Sequence, residues 1–328
     1  MTQQDIDEKF MRRCLQLAQN GRRHAKPNPM VGAVIVSADG RIIGEGWHQR
    51  CGEGHAEVNA FASVKKEDEA LLPQATIYVS LEPCSHYGKT PPCADLIVRK
   101  GVRRVVCGCI DPFAKVQGRG VERIRKAGIE VTVGVLEAEC LALNKRFITF
   151  QTHHRPFITL KWAQTADGYI DRIDSTTGRH LPLPVSTTYT QMLVHQRRAE
   201  TDAILIGRHT LDTDHPKLTT RYWSGPSPER YVLTHHPETL PEGFKGVTDL
   251  HELMDQLYQE QRQSLVVEGG ADVLQQCIDD GLWDEIRIET SPMTVHGGTK
   301  APKLPEMFDV SSEEQIDGNV IRTLKSVK

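Results

Sequence analysis

Both halves of the chain alternate between short apolar runs, typical of buried strands, and amphipathic segments of helical period. In the first half, residues 31–47 read as a hairpin around an Asp-Gly turn, and further strand-like runs follow near 75–83, 102–110 and 129–135. Helix-like segments such as "HAEVNAFASV" and "CADLIVRKG" lie between them. Strands separated by helices favour a three-layer α/β domain with mostly parallel strands.

The second half repeats the α/β pattern. A length of 328 residues is typical of a chain with two domains. Pro156 and the polar segment "QTHHR" before it indicate a boundary near 150–155. We therefore predict domains at 1–150 and 151–328. Strands are expected at "FITLKWA", "DAILIG", "RYVLT", "SLVVEGG" and "EIRIET", with helices at 188–198, 250–261 and 271–279.

Composition excludes several classes of protein. A net charge of −3 and a pI near 6.5 argue against nucleic-acid binding by broad phosphate neutralisation, and aromatic residues make up only 6%. The N-terminal segment predicts an amphipathic helix with Ile6, Phe10, Cys14 and Leu17 on one stripe, not a leader peptide. No apolar run is long enough for a membrane span. We expect a cytoplasmic protein with no nucleic-acid or membrane partner; a homo-oligomer is compatible with the sequence, which does not give the oligomeric state.

Cysteines and one histidine give the strongest chemical signal. Most of the eight cysteines are expected to be reduced and buried, including Cys107 and Cys109 on one strand. In contrast, His55 and Cys93 begin predicted helices and Cys84 follows a predicted strand. Strand ends and helix N-termini meet at one edge of such a sheet. His55, Cys84 and Cys93 therefore predict a zinc site with an open fourth position, as in catalytic zinc sites.

Glu57, two residues after His55, completes the H-x-E…P-C…C pattern of zinc-dependent base deaminases. Zinc lowers the pKa of bound water to about 7. A carboxylate at position 57 can take a proton from that water and return it to a leaving amine. The alternative of a structural zinc, with His86 as its fourth protein ligand, stays open at this stage. Structural zinc cysteines are usually separated by only about two to four residues, so the spacer between Cys84 and Cys93 is unusually long.

Four segments of the first half resemble a known family: "KPNPMVGAVIV", "GEGHAEVNAF", "SLEPCSHYGKTPPCADLIV" and "GCIDPFAKVQGRG". They are similar to the deaminase half of the RibD family of bifunctional riboflavin-biosynthesis enzymes. The long spacer between the two cysteines is this family's departure from the C-x-x-C of cytidine and tRNA deaminases. The resemblance implies a cytidine-deaminase-like three-layer α/β/α fold, a bound Zn²⁺ and a diaminopyrimidinone substrate that carries a phosphorylated ribosylamino group.

The resemblance also implies a substrate pocket. The spacer offers hydrogen-bond donors suited to a phosphate and to ring oxygens. The implied deaminase substrate-binding residues are Asn28, His48, His86, Lys89, Thr90 and Asp111. Taken as residues alone, Asn28 could be a turn residue between two prolines, His48 a solvent-exposed strand end and Lys89 an ordinary surface lysine.

In the second half, "SLVVEGGADVLQQCI" places two glycines between a strand and a helix, which lets backbone N–H groups approach a phosphate. An ordinary β–α turn is the alternative, and no G-x-G-x-x-G is present. The segments "FITLKWAQTADGYI", "RAETDAILIGRHTLDTDHPKLTTR", "VVEGGADVL" and "VHGGTKAP" resemble the reductase half of the same family. This resemblance implies a dihydrofolate-reductase-like α/β domain that uses NADPH to reduce the ribosyl group to a ribityl chain.

The reductase resemblance implies two sets of site residues. The substrate set is Lys161, Arg198, Leu218, Arg221 and Glu268. The cofactor set is Gln164, Thr210, Asp214, Gly270, Ala271, Asp272, Val273, Leu274, Gln275 and Gln276. Solvated surface charge is the alternative for the two arginines, and a helix cap or turn for Asp214. Departures at "RHLPLPVS", at His215 and at "LTHHPETLP" leave the contacts to the cofactor ribose and 2′-phosphate open.

Two other classes of function compete with this interpretation. The first is a nucleic-acid base editor whose second half binds RNA, which would need a basic and aromatic-rich surface. The second is a chain whose reductase half has lost activity and serves assembly only. Neither the passage of an intermediate between the two sites nor the nicotinamide face used follows from the sequence.

Overall fold

The computed structural model describes residues 2–87, 91–112 and 117–327. Within it the chain forms two compact units, Met1–His153 and His154–Lys328. Each unit contains its own mixed sheet with helices packed on it, so the predicted α/β class is confirmed for both. Among the described helices, none has the length and apolar content needed to cross a membrane.

The first unit is built on a five-stranded sheet of order β2-β1-β3-β4-β5. Its strands are β1 (Gly32–Val36), β2 (Ile42–Trp47), β3 (Thr76–Leu81), β4 (Arg104–Cys109) and β5 (Glu130–Val133). Strand β1 is antiparallel to both β2 and β3, whereas β3, β4 and β5 are parallel. The expectation of mostly parallel strands is thus only half right, because the predicted hairpin inserts β1 between two strands of opposite direction.

Helices cover both faces of this sheet and give three layers. They are α1 (Gln3–Ala18), α2 (Ala56–Ala62), α3 (Cys93–Lys100), α4 (Arg119–Lys126), α5 (Glu137–Leu143) and α6 (Lys145–His153). Side chains alternate across the sheet: Ile35 joins a core cluster with Ile97 of α3, and Val34 joins another with Phe10 of α1. Helix α1 approaches β1 so closely that a Cβ on Gly32 would lie 2.0 Å from a helix carbonyl oxygen, which requires glycine.

The second unit is built on an eight-stranded sheet of order β11-β10-β9-β12-β6-β13-β15-β14. Its strands are β6 (Phe157–Gln164), β9 (Ala203–Gly207), β10 (Glu229–Leu233), β11 (Phe244–Val247), β12 (Ser264–Val267), β13 (Glu285–Thr290), β14 (Asp309–Ile316) and β15 (Asn319–Lys325). Six neighbouring strands are parallel, and the C-terminal hairpin adds two antiparallel ones. A separate small ribbon pairs β7 (Asp171–Ile173) with β8 (His180–Pro182).

In the second unit, strands β6 and β13 have an apolar side and a charged side. Its helices are α7 (Thr188–Ala199), α8 (Arg208–Asp214), α9 (Leu250–Gln259) and α10 (Ala271–Asp279). The largest apolar cluster joins Leu160, Ile286 and Ile288 to residues of α9 and α10. The alternating positions on β13 are Glu285, Arg287 and Glu289, all buried. Lys161, which is partly buried, is the register partner of Arg287, so charged side chains line the face of β6 and β13 opposite the apolar cluster.

Most predicted elements are confirmed, and several others were not predicted. The helix predicted at 271–279 matches α10, and Phe10, Cys14 and Leu17 of the N-terminal helix are buried as expected. Helix α8 and the strands β7, β8, β11, β14 and β15 were not predicted. Strand β14, "DVSSEEQI", is mostly exposed on the sheet edge, so no apolar alternation marks it. The helical stretch at 137–153 is divided into α5 and α6 at Asn144, a buried residue.

A buried ion pair fastens α1 to the sheet of the first unit. The Asp7 carboxylate is 3% exposed and accepts two hydrogen bonds of 2.8 Å from the Arg104 guanidinium. The Tyr78 hydroxyl donates a third at 3.0 Å. Burial acts to raise the pKa of Asp7, but the hydrogen bonds from Arg104 and its neighbours outweigh burial and the pKa is lowered.

We expect Asp7→Ala to lower the free energy of unfolding of the first unit by about 3 kcal/mol, because Arg104 then lacks its buried counter-charge. Hydrogen exchange of the β3 and β4 amides measures this change in one unit of the chain. The contribution of Asp7 should be full above its ordinary pKa of 3.8 and should disappear as the pH falls through the lower folded value. Glu45→Gln, which weakens a partly exposed pair with Arg13, should cost less than about 1 kcal/mol. Equal losses in the two variants would contradict this account.

Candidate active sites

Three elements of the first unit place one nitrogen and two sulfur ligands together. His55 is the N-cap residue of α2, Cys93 is the first residue of α3, and Cys84 follows the end of β3. The Cys84 carbonyl accepts a hydrogen bond of 3.1 Å from Ala94 N, which holds the turn after β3 against α3. A strand end and two helix starts thus meet at the carboxyl edge of the sheet, as the sequence predicts.

The ligand atoms are close enough to share one ion. The His55 Nδ1 atom lies 3.5 Å from Cys84 Sγ and 3.4 Å from Cys93 Sγ, and all ligand atoms lie within 4.8 Å of one another. Zinc binds imidazole nitrogen at about 2.0–2.1 Å and thiolate sulfur at about 2.3 Å. A single zinc ion therefore fits this donor set. In the described part of the chain no fourth candidate ligand joins the cluster; His86 is exposed and lies outside it, which disfavours the four-ligand structural site.

The protonation of the two thiols differs sharply. Hydrogen bonding with Cys93, together with that from His55, lowers the pKa of Cys84 to about 4. The same hydrogen bond with Cys84, together with burial, raises the pKa of Cys93 well above its usual value. One thiolate is thus present at neutral pH, and thiolates are the form that binds metal. The second thiol loses its proton when a metal binds, so metal affinity rises with pH.

Glu57 lies beside the cluster in the first turn of α2 and is 3% exposed. Burial, and secondarily the charge of Cys84, raises the pKa of Glu57 to about 7. A carboxyl group with such a pKa can both accept and donate a proton at neutral pH, which is the property of a general acid and base. Glu57 is not among the clustered ligand atoms.

Asn28 and His48 form a second layer next to the histidine ligand. Asn28 Nδ2 lies 3.1 Å from His48 Nε2, and His48 Nδ1 lies 3.3 Å from the Gly54 carbonyl oxygen. The His48 and His55 rings meet edge to face with centroids 5.3 Å apart. His48 is buried, so its alternative interpretation as a solvent-exposed strand end is wrong. Burial lowers the pKa of His48, which favours a neutral ring.

The remaining deaminase residues divide between described and undescribed parts of the chain. Asp111 is buried just beyond β4, and its backbone N–H donates to the Glu82 carboxylate at 3.3 Å. His86 is exposed on the segment after Cys84. Lys89 and Thr90 lie outside the described residues. Glu82 was not a predicted site residue; the signal that could have found it is a glutamate at the end of an apolar strand, directly before Pro83-Cys84.

In the second unit, three of the predicted substrate residues form one charged group. Glu268 follows β12 and receives hydrogen bonds from Arg198 Nε at 3.1 Å and Nη2 at 2.6 Å. Burial acts to raise the pKa of Glu268, but the Arg198 charge outweighs it and the pKa is lowered. Burial lowers the pKa of Lys161, and the charges of Glu268 and Glu289 act in the opposite direction. Arg198 is therefore part of a nearly buried ion pair and is not a solvated surface charge.

Leu218 and Arg221 occupy the loop after α8. Leu218 is buried and adopts a left-handed backbone conformation (φ 52°). Arg221 is exposed, with its guanidinium 4.8 Å from the Tyr222 ring. Arg198 Nη1 also donates to the Thr219 carbonyl at 3.3 Å. The loop is thus attached to the charged group, while Arg221 itself lies on the surface.

The predicted cofactor residues are only partly brought together. Thr210 of α8 lies against the glycine pair before α10: a Cβ on Gly269 would lie 2.9 Å from Thr210 Cγ2, and Gly270 has φ +73°. This close backbone approach and the helix start at Ala271 suit a phosphate-bearing cofactor. Gln164 accepts a hydrogen bond of 2.7 Å from Trp162 Nε1 at the end of β6. Burial raises the pKa of Asp214 at the end of α8.

Two buried residues of the second unit were missed. Glu289 accepts hydrogen bonds from Ser186 Oγ, Thr190 Oγ1 and Asn319 Nδ2 at 2.6–2.7 Å. His195 of α7 is 4% exposed, and its Nδ1 atom has no hydrogen-bond partner within the described residues. Glu289 could have been found from the charged positions that interrupt the apolar strand "EIRIET". His195 carries no such signal in the sequence.

An α/β/α domain with a His/Cys/Cys cluster beside a buried glutamate is characteristic of the zinc-dependent nucleobase deaminases. The family model of the cytidine and deoxycytidylate deaminase zinc-binding region matches residues 4–109, and that of the RibD C-terminal domain matches residues 156–317. The chain belongs to the RibD family, the bifunctional deaminases and reductases of riboflavin biosynthesis. Of the cofactors implied by the resemblance, Zn²⁺ belongs to the deaminase domain and NADPH to the reductase domain.

Individual relatives match over nearly the whole chain. The riboflavin biosynthesis protein RibD of Aquifex aeolicus is 35% identical over 90% of this chain and 89% of its own length. That of Escherichia coli is 36% identical over 87% of this chain and 88% of its own. The crystal structure of the diaminohydroxyphosphoribosylaminopyrimidine deaminase/5-amino-6-(5-phosphoribosylamino)uracil reductase of Thermotoga maritima superposes with a TM-score of 0.87, at 34% identity and 99% coverage of both chains.

We expect the purified chain to contain one zinc ion, and Cys84→Ala to remove it, because an intact site needs both thiolates and the imidazole. Metal analysis after dialysis against a mild chelator measures this. Cys51→Ala is the matched control, since Cys51 is also a free and partly exposed cysteine but lies outside the cluster. Zinc retained by the Cys84 variant would contradict the ligand assignment.

Proposed function

We propose that the first unit deaminates a diaminopyrimidinone carrying a phosphorylated ribosylamino group, and that the second unit then reduces the ribosyl group of the product to ribityl with NADPH. The observation that carries the proposal is the cluster of His55, Cys84 and Cys93 with Glu57 beside it. The Thermotoga maritima relative, whose name contains both activities, supports the choice of substrates.

In the deaminase, His55, Cys84 and Cys93 would hold zinc, which supplies a nucleophilic water at neutral pH. Glu57 would take the proton released by that water as it adds to the amino-bearing ring carbon. The same carboxyl would then donate the proton to the departing nitrogen, so that water is consumed and ammonia is released. A pKa near 7 suits Glu57 to both transfers.

The deaminase pocket is proposed to combine ring and phosphate recognition. Asn28 and His48 are suited to the ring, since they lie beside the histidine ligand and are hydrogen-bonded to each other. Asp111 approaches from the end of β4. We propose His86, Lys89 and Thr90 as donors to the substrate phosphate and ring oxygens, which is supported by the family resemblance of the spacer.

In the reductase, NADPH would supply the hydride that, together with a proton from solvent on the released ring oxygen, converts the ribosyl group to ribityl. We propose that Lys161 and Glu268 contact the substrate, with Arg198, Leu218 and Arg221 beside its sugar phosphate. The ion pair of Arg198 with Glu268 would fix the glutamate carboxylate in orientation. For NADPH, we propose Gln164, Thr210 and Asp214, with residues 270–276 around its phosphates. The close approach of Thr210 to Gly269 supports this arrangement.

We also propose that the functional boundary lies as expected, with the deaminase in residues 1–150 and the reductase in residues 151–328. The cytoplasm remains the predicted location of both reactions, and no nucleic-acid or membrane partner is proposed.

We predict that Glu57→Gln abolishes deamination: the rate of ammonia release should fall by about 100-fold or more, because the amide cannot shuttle a proton. Ammonia production from the pyrimidine substrate measures the loss, and metal analysis should show that zinc stays bound. Reduction of the separately supplied deaminated intermediate should be unchanged, which shows that the chain is folded. Turnover retained in this variant would overturn the deaminase assignment.

The reductase assignment predicts that Lys161→Met impairs the reduction and leaves the deamination intact, the reverse of Glu57→Gln. NADPH oxidation with the deaminated intermediate should fall by about 100-fold, as expected for loss of a positioned charged group in an active site, while ammonia release should persist. Lys245→Met is the matched control, because Lys245 pairs with Glu229 on another strand of the same sheet. Equal activity of the two variants would remove Lys161 from the site.

The two competing functions have direct tests. Filter binding with tRNA separates the pyrimidine deaminase from a nucleic-acid base editor, and the net charge of −3 favours the former. Absence of NADPH oxidation by the unaltered chain, supplied with the deaminated intermediate, would favour an assembly role for the second half.

A further inference from the structure

Glu82 is a buried carboxylate that the proposed chemistry does not use. It follows β3 directly, is 4% exposed, and its own N–H donates to the Cys109 carbonyl at 3.0 Å. Its backbone is therefore fixed at the carboxyl edge of β3 and β4, two residues before the ligand Cys84. A charge buried at this position needs strong compensation, because desolvation of an unpaired carboxylate is costly.

Backbone N–H groups supply that compensation. Glu82 Oε1 accepts from Gly120 N at 2.8 Å and Val121 N at 3.2 Å. Oε2 accepts from Gly118 N at 2.8 Å and Asp111 N at 3.3 Å. Three of these donors belong to the start of α4, where the helix dipole also favours a negative charge. No salt bridge to Glu82 occurs within the described residues.

The glycine at position 120 brings the start of α4 unusually close to the turn that carries Cys84. A Cβ on Gly120 would lie 1.9 Å from the Pro83 carbonyl oxygen and 3.2 Å from Glu82 Oε1. Only glycine permits this approach without movement of the backbone. The contact is independent of the carboxylate hydrogen bonds and points to the same junction.

The junction joins two functional segments of the first unit. On one side is the turn from Glu82 to Cys84, which carries a proposed metal ligand. On the other is Asp111, proposed to contact the substrate, whose backbone the Glu82 carboxylate holds. Glu57 lies in α2 and His55 is its N-cap, whereas the hydrogen bonds of the Glu82 carboxylate run to Asp111 and the start of α4. The carboxylate therefore acts directly on the substrate wall and not on the proton shuttle.

We infer that Glu82 is a positioning residue for deaminase substrate binding: its carboxylate holds the backbone at Asp111 and the start of α4 in register with the metal-binding turn. This inference rests on the proposed function, because it takes Asp111 as part of the substrate pocket. The alternative is that Glu82 only caps α4 and contributes stability.

Glu82→Gln tests the inference. The amide nitrogen cannot accept a hydrogen bond, so at least two of the four N–H donors lose their partner. We expect the deaminase KM to rise about tenfold or more while kcat falls less than about threefold, since the substrate wall shifts and the chemical groups stay in place. Zinc content should remain one per chain, and the reductase activity of the same chain should be unchanged.

Asp7→Asn is the matched control, because Asp7 is an equally buried carboxylate of the same unit, paired with Arg104 and distant in sequence from the site. It should lower the melting temperature without raising KM. An effect of Glu82→Gln on stability alone, as in the control, would overturn the inference. Loss of zinc in Glu82→Gln would also overturn it, since the role would then be support of the metal ligand.

Gly120→Ala is a second test of the positioning role, for the case that Glu82→Gln does not fold. It keeps the carboxylate but pushes the start of α4 away from the Pro83 carbonyl, so the same rise in KM is expected, and an unchanged KM would overturn the inference. Failure of the proposed function is distinguishable, because the unaltered chain would then release no ammonia from the pyrimidine. An active unaltered chain with an unaffected Glu82 variant would reject the positioning role alone.

Discussion

The chemistry of the first unit depends on how one parallel strand ends. Strand β3 stops at Leu81, and the turn that follows must satisfy its polar groups at a sheet edge where two helices begin. Cys84 and Cys93 meet His55 there because each lies at the end of an element. Placing ligands at element ends fixes their backbones before any metal binds, so little chain entropy remains to be lost on binding.

The second unit differs, because a row of charged side chains lies on one face of β6 and β13, opposite the largest apolar cluster. Lys161, Arg287 and Glu289 alternate with apolar residues on the neighbouring strands β6 and β13, and the burial of Arg287 lowers its pKa to about 10. Each charge depends on partners from other segments: Arg198 for Glu268, and Ser186, Thr190 and Asn319 for Glu289. The group is therefore assembled only in the folded unit.

This difference explains how much the sequence could predict. The strands and helices of the sheet centres follow from apolar periodicity, and the zinc cluster from ligand types at predicted element ends. The edge hairpin β14–β15 and the ribbon β7–β8 have too little apolar alternation to be recognised. The pairing of Arg198 with Glu268 joins residues 70 positions apart, so neither periodicity nor local spacing could predict it.

Glu82 illustrates why buried charges differ in their tolerance of substitution. Its four partners are backbone N–H groups, which remain in place when any of these residues is replaced by one other than proline. The interaction therefore depends on Glu82 itself and on the glycine that permits the close approach. Glu289, held by three side chains, could lose one partner and keep the others. A carboxylate satisfied by backbone therefore fixes the geometry of its surroundings more strictly, which suits a residue that joins a metal-binding turn to a substrate-binding segment.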